Sequence, residues 1–234
     1  MDRDGQEGGG DEGGGGFQYV ARKSKANRRR RKGKEGDAQD DDGASKLAKR
    51  IDIIAAQKAF LSTGVVGASI SALLDDTFTS ISKDDWPSSI LSLGLGSVKD
   101  SRAAQTQLAF VLLVRDKLLS SHQDVKVEAY DPIFDSEDRK VLDAHDIVTS
   151  DTNVQGKYTV DQPVFVFMPH CTKTLYENIL RSNWSPTGLS RLWLCCNELE
   201  RYVDAVRGVD EATPCIKRIG EAISLKLKRL SSLF

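Results

Sequence analysis

One of the three histidines in the chain, His170, directly follows an apolar run that stops at Pro169. Its neighbour is Cys171, so an imidazole and a thiol stand side by side. An imidazole titrates near neutral pH, and a thiol becomes a nucleophile when it loses its proton. The residues therefore fit a base with a nucleophile, a metal site or a structural loop. Because neighbours on a turn seldom face each other and no acid that would orient the imidazole is identified, we predict that His170 binds or orders rather than catalyses.

A second group of residues has the context of a phosphate-binding turn. The segment Gly94–Ser97 reads GLGS and stands between a predicted strand and a predicted helix. Glycines let a backbone approach a ligand, and a helix N-terminus attracts anions. Asp131 follows the next predicted strand, where dinucleotide-binding folds place an acid for a ribose hydroxyl. The third glycine of the dinucleotide fingerprint is absent, so a packing turn for the glycines and a turn or capping role for Asp131 stay open as alternatives.

The cysteines complete the residues with chemical potential. Cys195 and Cys196 are adjacent in a predicted strand, so their side chains point to opposite faces and at most one faces any single site. Because the cysteine spacings match no common zinc module, we predict no metal site. Because no secretory signal is found, we expect the protein to be located in nucleus and cytoplasm. In those compartments we expect its cysteines to remain reduced thiols. The four cysteines are Cys171, Cys195, Cys196 and Cys215.

Apolar strands alternate with helical segments between residues 45 and 234. This alternation predicts a Rossmann-like α/β domain, with a mainly parallel sheet and helices on both faces. We expect four strands to adjoin in one sheet, with representative residues Leu93, Val127, Val166 and Trp193. Ligands of such sheets bind outside the carboxyl ends of the strands. The ligand-binding candidates all follow strands and therefore converge on that edge; they are Gly94, Gly96, Ser97, Asp131, His170 and Asn197.

Residues 1–44 differ in composition from the rest of the chain. Glycine-rich and acidic stretches flank residues 22–34, which contain nine Lys or Arg in thirteen positions. A segment with so few apolar residues cannot offset its ordering entropy, so we predict a disordered tail. The basic block is interpreted as a nuclear import signal read by the import machinery, with a nucleic-acid-binding arm and an unread solubilising tail as alternatives. The import candidates are Arg28, Arg29, Arg30, Arg31 and Lys32.

Charge and hydropathy narrow the expected partners. The formal net charge is −1, so no global field attracts nucleic acid. No stretch approaches 18 apolar residues, so we expect no membrane span. We expect protein partners. A small ligand could also bind in the crevice at the carboxyl ends of the strands, and the sequence identifies no particular cofactor.

Within the predicted helix that follows Cys171, Thr174 and Glu177 are spaced as a capping box.

Three motifs occur in a specific order, LGLGSVKDSRAAQTQLAFVLLV, YDPIFDSED and FMPHCTKTLYENILRSNW. Together they resemble the SRR family, named for sensitivity to red light reduced, from about Ser88 to Tyr202. The resemblance implies a role in circadian or light-input regulation in plants, links to clock-gene expression and haem biosynthesis in animals, and links to microtubule function in yeast relatives. No established catalytic activity comes with the family. The resemblance thus predicts a regulatory protein whose SRR-like domain covers residues 45–234, with a motif core at about 88–202.

Two positions depart from the family pattern. Thr172 stands where the resemblance leads us to expect proline, and Cys196-Asn197-Glu198 stands where it leads us to expect Gly-Asn-Ser. The first departure removes a Cys-Pro pair, the kind of site through which some regulators sense haem. The alternative to a regulator is an enzyme that binds a nucleotide or an S-adenosylmethionine-like cofactor across the edge formed by Gly94, Asp131 and His170.

Overall fold

The computed structural model describes residues 39–199, Tyr202 and residues 213–223. A short 3-10 turn, Lys83–Asp85, follows the second helix. The helices and strands are α1 (Gln39–Ser62), α2 (Gly64–Thr79), β1 (Ser89–Leu93), α3 (Arg102–Leu119), β2 (Lys126–Tyr130), α4 (Ser136–Asp143), β3 (Ile147–Thr149), β4 (Val164–Met168), α5 (Lys173–Ser182), α6 (Pro186–Ser190), β5 (Leu192–Cys196) and α7 (Pro214–Ile223).

The five strands form one sheet in the order β3-β2-β1-β4-β5, and all pairs are parallel. The predicted α/β fold is therefore confirmed. The four representative residues lie in adjoining strands, with Leu93 in β1, Val127 in β2, Val166 in β4 and Trp193 in β5. Helix α1 begins at Gln39, so the structure describes residues 39–44 of the predicted tail as helical. Residues 1–38, with the predicted import signal, lie outside the described residues.

Helices pack on both faces of the sheet at β1 and β4, whereas β2 alternates between buried and exposed residues. Helices α1 to α4 cover one face, against which Ile90 and Phe167 point. Helices α5 to α7 cover the other face, against which Leu91 and Val166 point. All five residues of β4 are buried. This double burial explains why β4 is a continuous apolar run rather than an alternating pattern.

No single described helix is long and apolar enough to cross a membrane. The pair formed by α1 and α2, which is bent by 76°, passes the same length and composition test as a broken span.

The connection from β3 to β4 contains no helix among its residues, all of which the structure describes. Hydrogen bonds from Asn178 in α5 and from Asn183 at its end hold this connection in place. Asn183 donates from Nδ2 to the Tyr158 carbonyl at 2.7 Å and accepts the Val160 amide at 2.9 Å. Asn178 donates to the Gln155 carbonyl at 2.8 Å. The connection therefore packs beside α5, and a cavity of about 590 Å³ lies between its residues 158–160 and strands β1 and β2.

Glu177 does not form the predicted capping box with Thr174. The residue that caps the start of α5 is Thr172, and its side chain makes no capping hydrogen bond. The Glu177 carboxylate is buried and accepts the amides of Cys215 and Ile216, each at 3.0 Å, in the first turn of α7. A negative charge at a helix N-terminus is stabilising, so Glu177 joins α5 to α7.

Candidate functional site

The topological switch point of the sheet lies between β1 and β4. From β1 the chain continues to β2 on one side, whereas from β4 it continues to β5 on the other side. Open α/β sheets bind ligands in the crevice outside the carboxyl ends of such strands. The Gly94 turn follows β1, and the His170 turn follows β4. Both turns singled out in the sequence thus meet at the switch point.

Gly94 packs closely against the neighbouring turn. Its amide donates to the Tyr130 carbonyl at 3.1 Å, which extends the β1–β2 pairing by one bond. Its φ is 71°, in the left-handed region that favours glycine. A Cβ atom at this position would lie 2.7 Å from the Sγ atom of Cys171. Glycine is therefore required here by backbone conformation and by close approach of a side chain.

The amide of Gly96 is already occupied by an internal carboxylate. It donates to Oδ2 of Asp131 at 2.8 Å, and the other carboxylate oxygen of Asp131 accepts the Ile133 amide at 3.0 Å. Asp131 is only 9% exposed. A phosphate at the Gly96 amide would displace a carboxylate and then remain beside its negative charge. A ribose hydroxyl would likewise compete with two backbone donors, so the geometry favours the turn interpretation for both residues.

Ser97 bonds to Asp138, a residue that we did not single out in the sequence. The Ser97 hydroxyl donates to Oδ1 of Asp138 at 3.0 Å, and the Lys99 amide donates to the same oxygen at 2.9 Å. Asp138 is fully buried, and it also forms a capping box with Asp135 at the start of α4. The spacing of Asp135 and Asp138 is the available sequence signal. It predicts the cap but not the bond to the glycine turn.

The positive charge nearest the glycine turn is paired with acids. The Lys99 ammonium lies 3.8 Å from the Asp100 carboxylate and 4.0 Å from the Glu137 carboxylate, and it also bonds to Asp135. The bond to Asp135 raises the pKa of Lys99 and lowers the pKa of Asp135. Lys99 is therefore engaged by acids of its own chain rather than set apart for an anionic ligand.

His170 has an unusual backbone conformation. Its φ is 58°, its amide donates to Oδ1 of Asn197 at 3.0 Å, and its side chain is exposed. A left-handed residue other than glycine costs about 1–2 kcal/mol, although histidine is enriched there relative to most residues. Such strain concentrates at functional sites. The structure thus joins two predicted candidates, His170 and Asn197, and holds the imidazole outward.

Cys171 is oriented for packing. Its buried thiol donates to the Leu93 carbonyl at 3.4 Å. Burial, together with the nearby charge of Asp131, raises the pKa of Cys171 to about 12. The thiol therefore stays protonated at neutral pH and contacts the exit of β1, whereas the imidazole of His170 is exposed. The two side chains do not form a nucleophile and base pair.

Of the other cysteines, Cys195 and Cys215 are buried and Cys196 is half-buried. Burial raises the pKa of Cys195 and of Cys196 to about 12. All four cysteines are free. Within the part of the chain that the structure describes, no group of three or more His, Cys, Asp or Glu residues could hold a metal ion.

The candidates thus form two groups at one edge. The glycine turn comprises Gly94, Gly96 and Ser97, held by Asp131 and Asp138, and the His170 turn is held by Asn197. Cys171 connects them, because its thiol lies against Gly94. That His170 lines one cleft with Ser97 and Asp131 stays a prediction.

Comparison with known proteins identifies relatives of the chain. An SRR1-like protein of Mus musculus is 34% identical over 134 residues, which cover 56% of this chain and 53% of the mouse protein. The protein Sensitivity to Red Light Reduced 1 of Arabidopsis thaliana is 27% identical over 126 residues, covering 54% of this chain and 45% of the plant protein. An SRR1-like protein of Drosophila melanogaster is 29% identical over 123 residues, covering 52% and 43% of the two chains.

The matched region spans about half the length of these relatives. No solved structure matches the chain significantly. The family profile of the SRR1 domain matches residues 74–230, which include both turns at the switch point. The match extends over more than half of the chain, and the chain therefore belongs to the SRR1 family.

Proposed function

We propose that this protein is a regulator of the SRR type that acts by recognition at the carboxyl edge of its sheet and carries out no reaction there. The recognising feature is the outward imidazole of His170, which binds a protein partner or a small ligand. Family membership supports a regulatory role. The buried, protonated thiol of Cys171 opposes a pair in which His170 activates Cys171 as a nucleophile.

The regulated process is proposed from the relatives. The Arabidopsis relative is named for reduced sensitivity to red light. We extend this to the input of light or the circadian clock, and to the control of haem biosynthesis that the family resemblance implies. The protein acts in nucleus and cytoplasm, with import driven by Arg28–Lys32. These assignments rest on the family and on the basic block, which lies outside the described residues.

One observation favours recognition over catalysis with a nucleotide, and it is the hydrogen bond from the Gly96 amide to Asp131. In phosphate-binding turns such amides point at the ligand. Here the amide, the Ser97 hydroxyl and the Lys99 amide are satisfied by carboxylates of the same domain. A bound phosphate would break these bonds and add charge next to Asp131 and Asp138.

The enzyme alternative rests on the order of the strands. An all-parallel sheet with its switch point between β1 and β4 is the architecture that binds nucleotides in many enzymes. The same architecture hosts many unrelated functions, so this is an analogy between folds. The contacts of Gly96 and Asp131 weigh against it in this chain.

The test replaces the native protein by variants in cells whose phenotype on deletion is scored. We expect His170→Ala to fail to rescue that phenotype, and we expect Cys171→Ser to rescue it, since serine can still donate to the Leu93 carbonyl. Both variants should unfold at temperatures close to wild type, because the imidazole is exposed and the Cys171 substitution is small. A Cys171→Ser protein that folds but is inactive would favour the enzyme alternative over the regulator.

A further inference from the structure

Asn197 contacts the His170 turn through its side-chain amide, and each end of that amide is used. Oδ1 accepts the His170 amide at 3.0 Å, and Nδ2 donates to the Tyr202 hydroxyl at 2.9 Å. One side chain from the exit of β5 thereby fixes the exit of β4. Because the backbone amide of His170 can only donate, it must face Oδ1, and the side-chain amide of Asn197 therefore has a single orientation.

A second contact fixes the residue from which the His170 turn departs. The Tyr176 hydroxyl donates to the Met168 carbonyl at 2.9 Å, at the end of β4. The rings of Tyr176 and Tyr202 lie 5.6 Å apart and tilted, an arrangement favourable for aromatic pairs. Tyr202 therefore has two links to the turn, one through Asn197 and one through Tyr176.

We propose that Asn197 and Tyr202 are positioning residues of the recognition site. They hold His170 in its left-handed conformation and thereby keep the imidazole directed outward. Neither residue contacts the partner. This inference rests on the proposed function, since it assumes that the His170 imidazole is what the partner reads.

The partial burial of Asn197 and Tyr202 indicates that they position the His170 turn rather than fill the core. Asn197 and Tyr202 are only partly buried, so neither fills the interior as Tyr176 does. Without the Asn197 oxygen, the His170 amide loses this hydrogen bond, which then no longer offsets the cost of the positive φ. The turn then relaxes to an ordinary conformation, in which the imidazole points elsewhere.

The test uses Asn197→Ala and Tyr202→Phe, with Asn178→Ala as the matched control. Asn178 also donates its amide to a backbone carbonyl, that of Gln155, but it does not touch the His170 turn. Selective ¹⁵N labelling of histidine gives three amide signals, because the chain has three histidines. We expect the His170 signal to move in Asn197→Ala, to move less in Tyr202→Phe and to stay in place in Asn178→Ala.

Activity is measured by the rescue assay described above. We expect Asn197→Ala to lose rescue as fully as His170→Ala does, although it lowers the unfolding temperature no more than Asn178→Ala. Asn197→Asp, which keeps the acceptor oxygen for the His170 amide, should restore part of the rescue. Loss of rescue in Asn197→Ala, at an unfolding temperature no lower than that of Asn178→Ala, would not be expected if Asn197 only contributed to stability.

The outcomes distinguish a failure of the proposed recognition role of His170 from a failure of the positioning role of Asn197. If His170→Ala rescues fully, the proposed function is wrong. If His170→Ala fails while Asn197→Ala rescues, or if the His170 amide signal is unchanged in Asn197→Ala, the positioning role is wrong and the recognition role of His170 stands.

Discussion

The close approach of Gly94 to Cys171 gives a quantitative prediction about the switch point. Replacing Gly94 by alanine forces a left-handed residue with a side chain, which costs about 1–2 kcal/mol, partly offset by a less flexible unfolded chain. The new Cβ atom would also lie 2.7 Å from the Cys171 thiol, which is buried and cannot move away freely. Overpacking of this kind costs about 1–3 kcal/mol more. We expect a total loss of about 2–4 kcal/mol in the free energy of unfolding.

Gly96→Ala is the matched control. Its φ is 83°, so the backbone cost is similar, but its Cβ atom would lie 3.5 Å from that of Ala104, an ordinary contact. We expect a loss of only about 1 kcal/mol there. Cys171→Ala should recover most of the overpacking cost in the Gly94→Ala protein and should recover nothing in the Gly96→Ala protein.

The assay is equilibrium unfolding in urea, with the slope m held comparable among the variants. The double-mutant cycle of Gly94 and Cys171 should give a coupling of about 1–3 kcal/mol. Equal losses for Gly94→Ala and Gly96→Ala, or no coupling to Cys171, would show that the thiol does not lie where the structure places it.

Four further results are expected. Iodoacetamide at pH 8 should leave Cys171 unmodified in the folded protein and modify it after unfolding, because its pKa of about 12 keeps the thiol protonated; rapid labelling of the native protein, read by peptide mass spectrometry, would contradict this. Leu93→Asp should abolish the cooperative thermal transition, since Leu93 is 3% exposed in β1 and a carboxylate has no partner there; a wild-type melting curve would refute the placement. Tyr158→Phe should raise the free energy of unfolding by about 1 kcal/mol, because that hydroxyl is buried without a hydrogen-bond partner among the described residues; a loss in urea unfolding would be the opposite result. A reporter fused to residues 1–44 should accumulate in nuclei and lose this on changing Arg28–Arg31 to alanine; equal distribution of the two reporters would defeat the import prediction.

The fold could be predicted because its strongest signals are local. Strand β4 is buried on both faces, so its apolar run ends abruptly at Pro169, and the alternation of such runs with helices indicates a parallel sheet. The placement of Gly96, Asp131 and His170 along one edge of the sheet also follows from the sequence, since parallel strands end on the same side. The sequence assigns residues 39–44 to the tail because this acidic stretch resembles a tail in composition, whereas the structure places it in α1.

The partners of the site residues could not be predicted, because they come from distant parts of the chain. Glu177 has the spacing of a local cap, yet its carboxylate binds the first turn of α7. Asp131 has the position of a ribose ligand, yet it binds the Gly96 amide. The positive φ of His170 depends on Asn197, and no local sequence rule indicates such a conformation for a histidine.

We propose that the carboxyl edge of the sheet recognises a partner through His170 and does not hold a nucleotide. Native mass spectrometry of the natively purified full chain, measured with and without added nucleotide or S-adenosylmethionine, tests for a bound nucleotide, because a catalytic cofactor of micromolar or weaker affinity is seen only when it is supplied. We expect a mass without any nucleotide or S-adenosylmethionine-like molecule, both for the wild type and for Asp131→Asn. A stoichiometric nucleotide in the wild type that disappears in Asp131→Asn would contradict it.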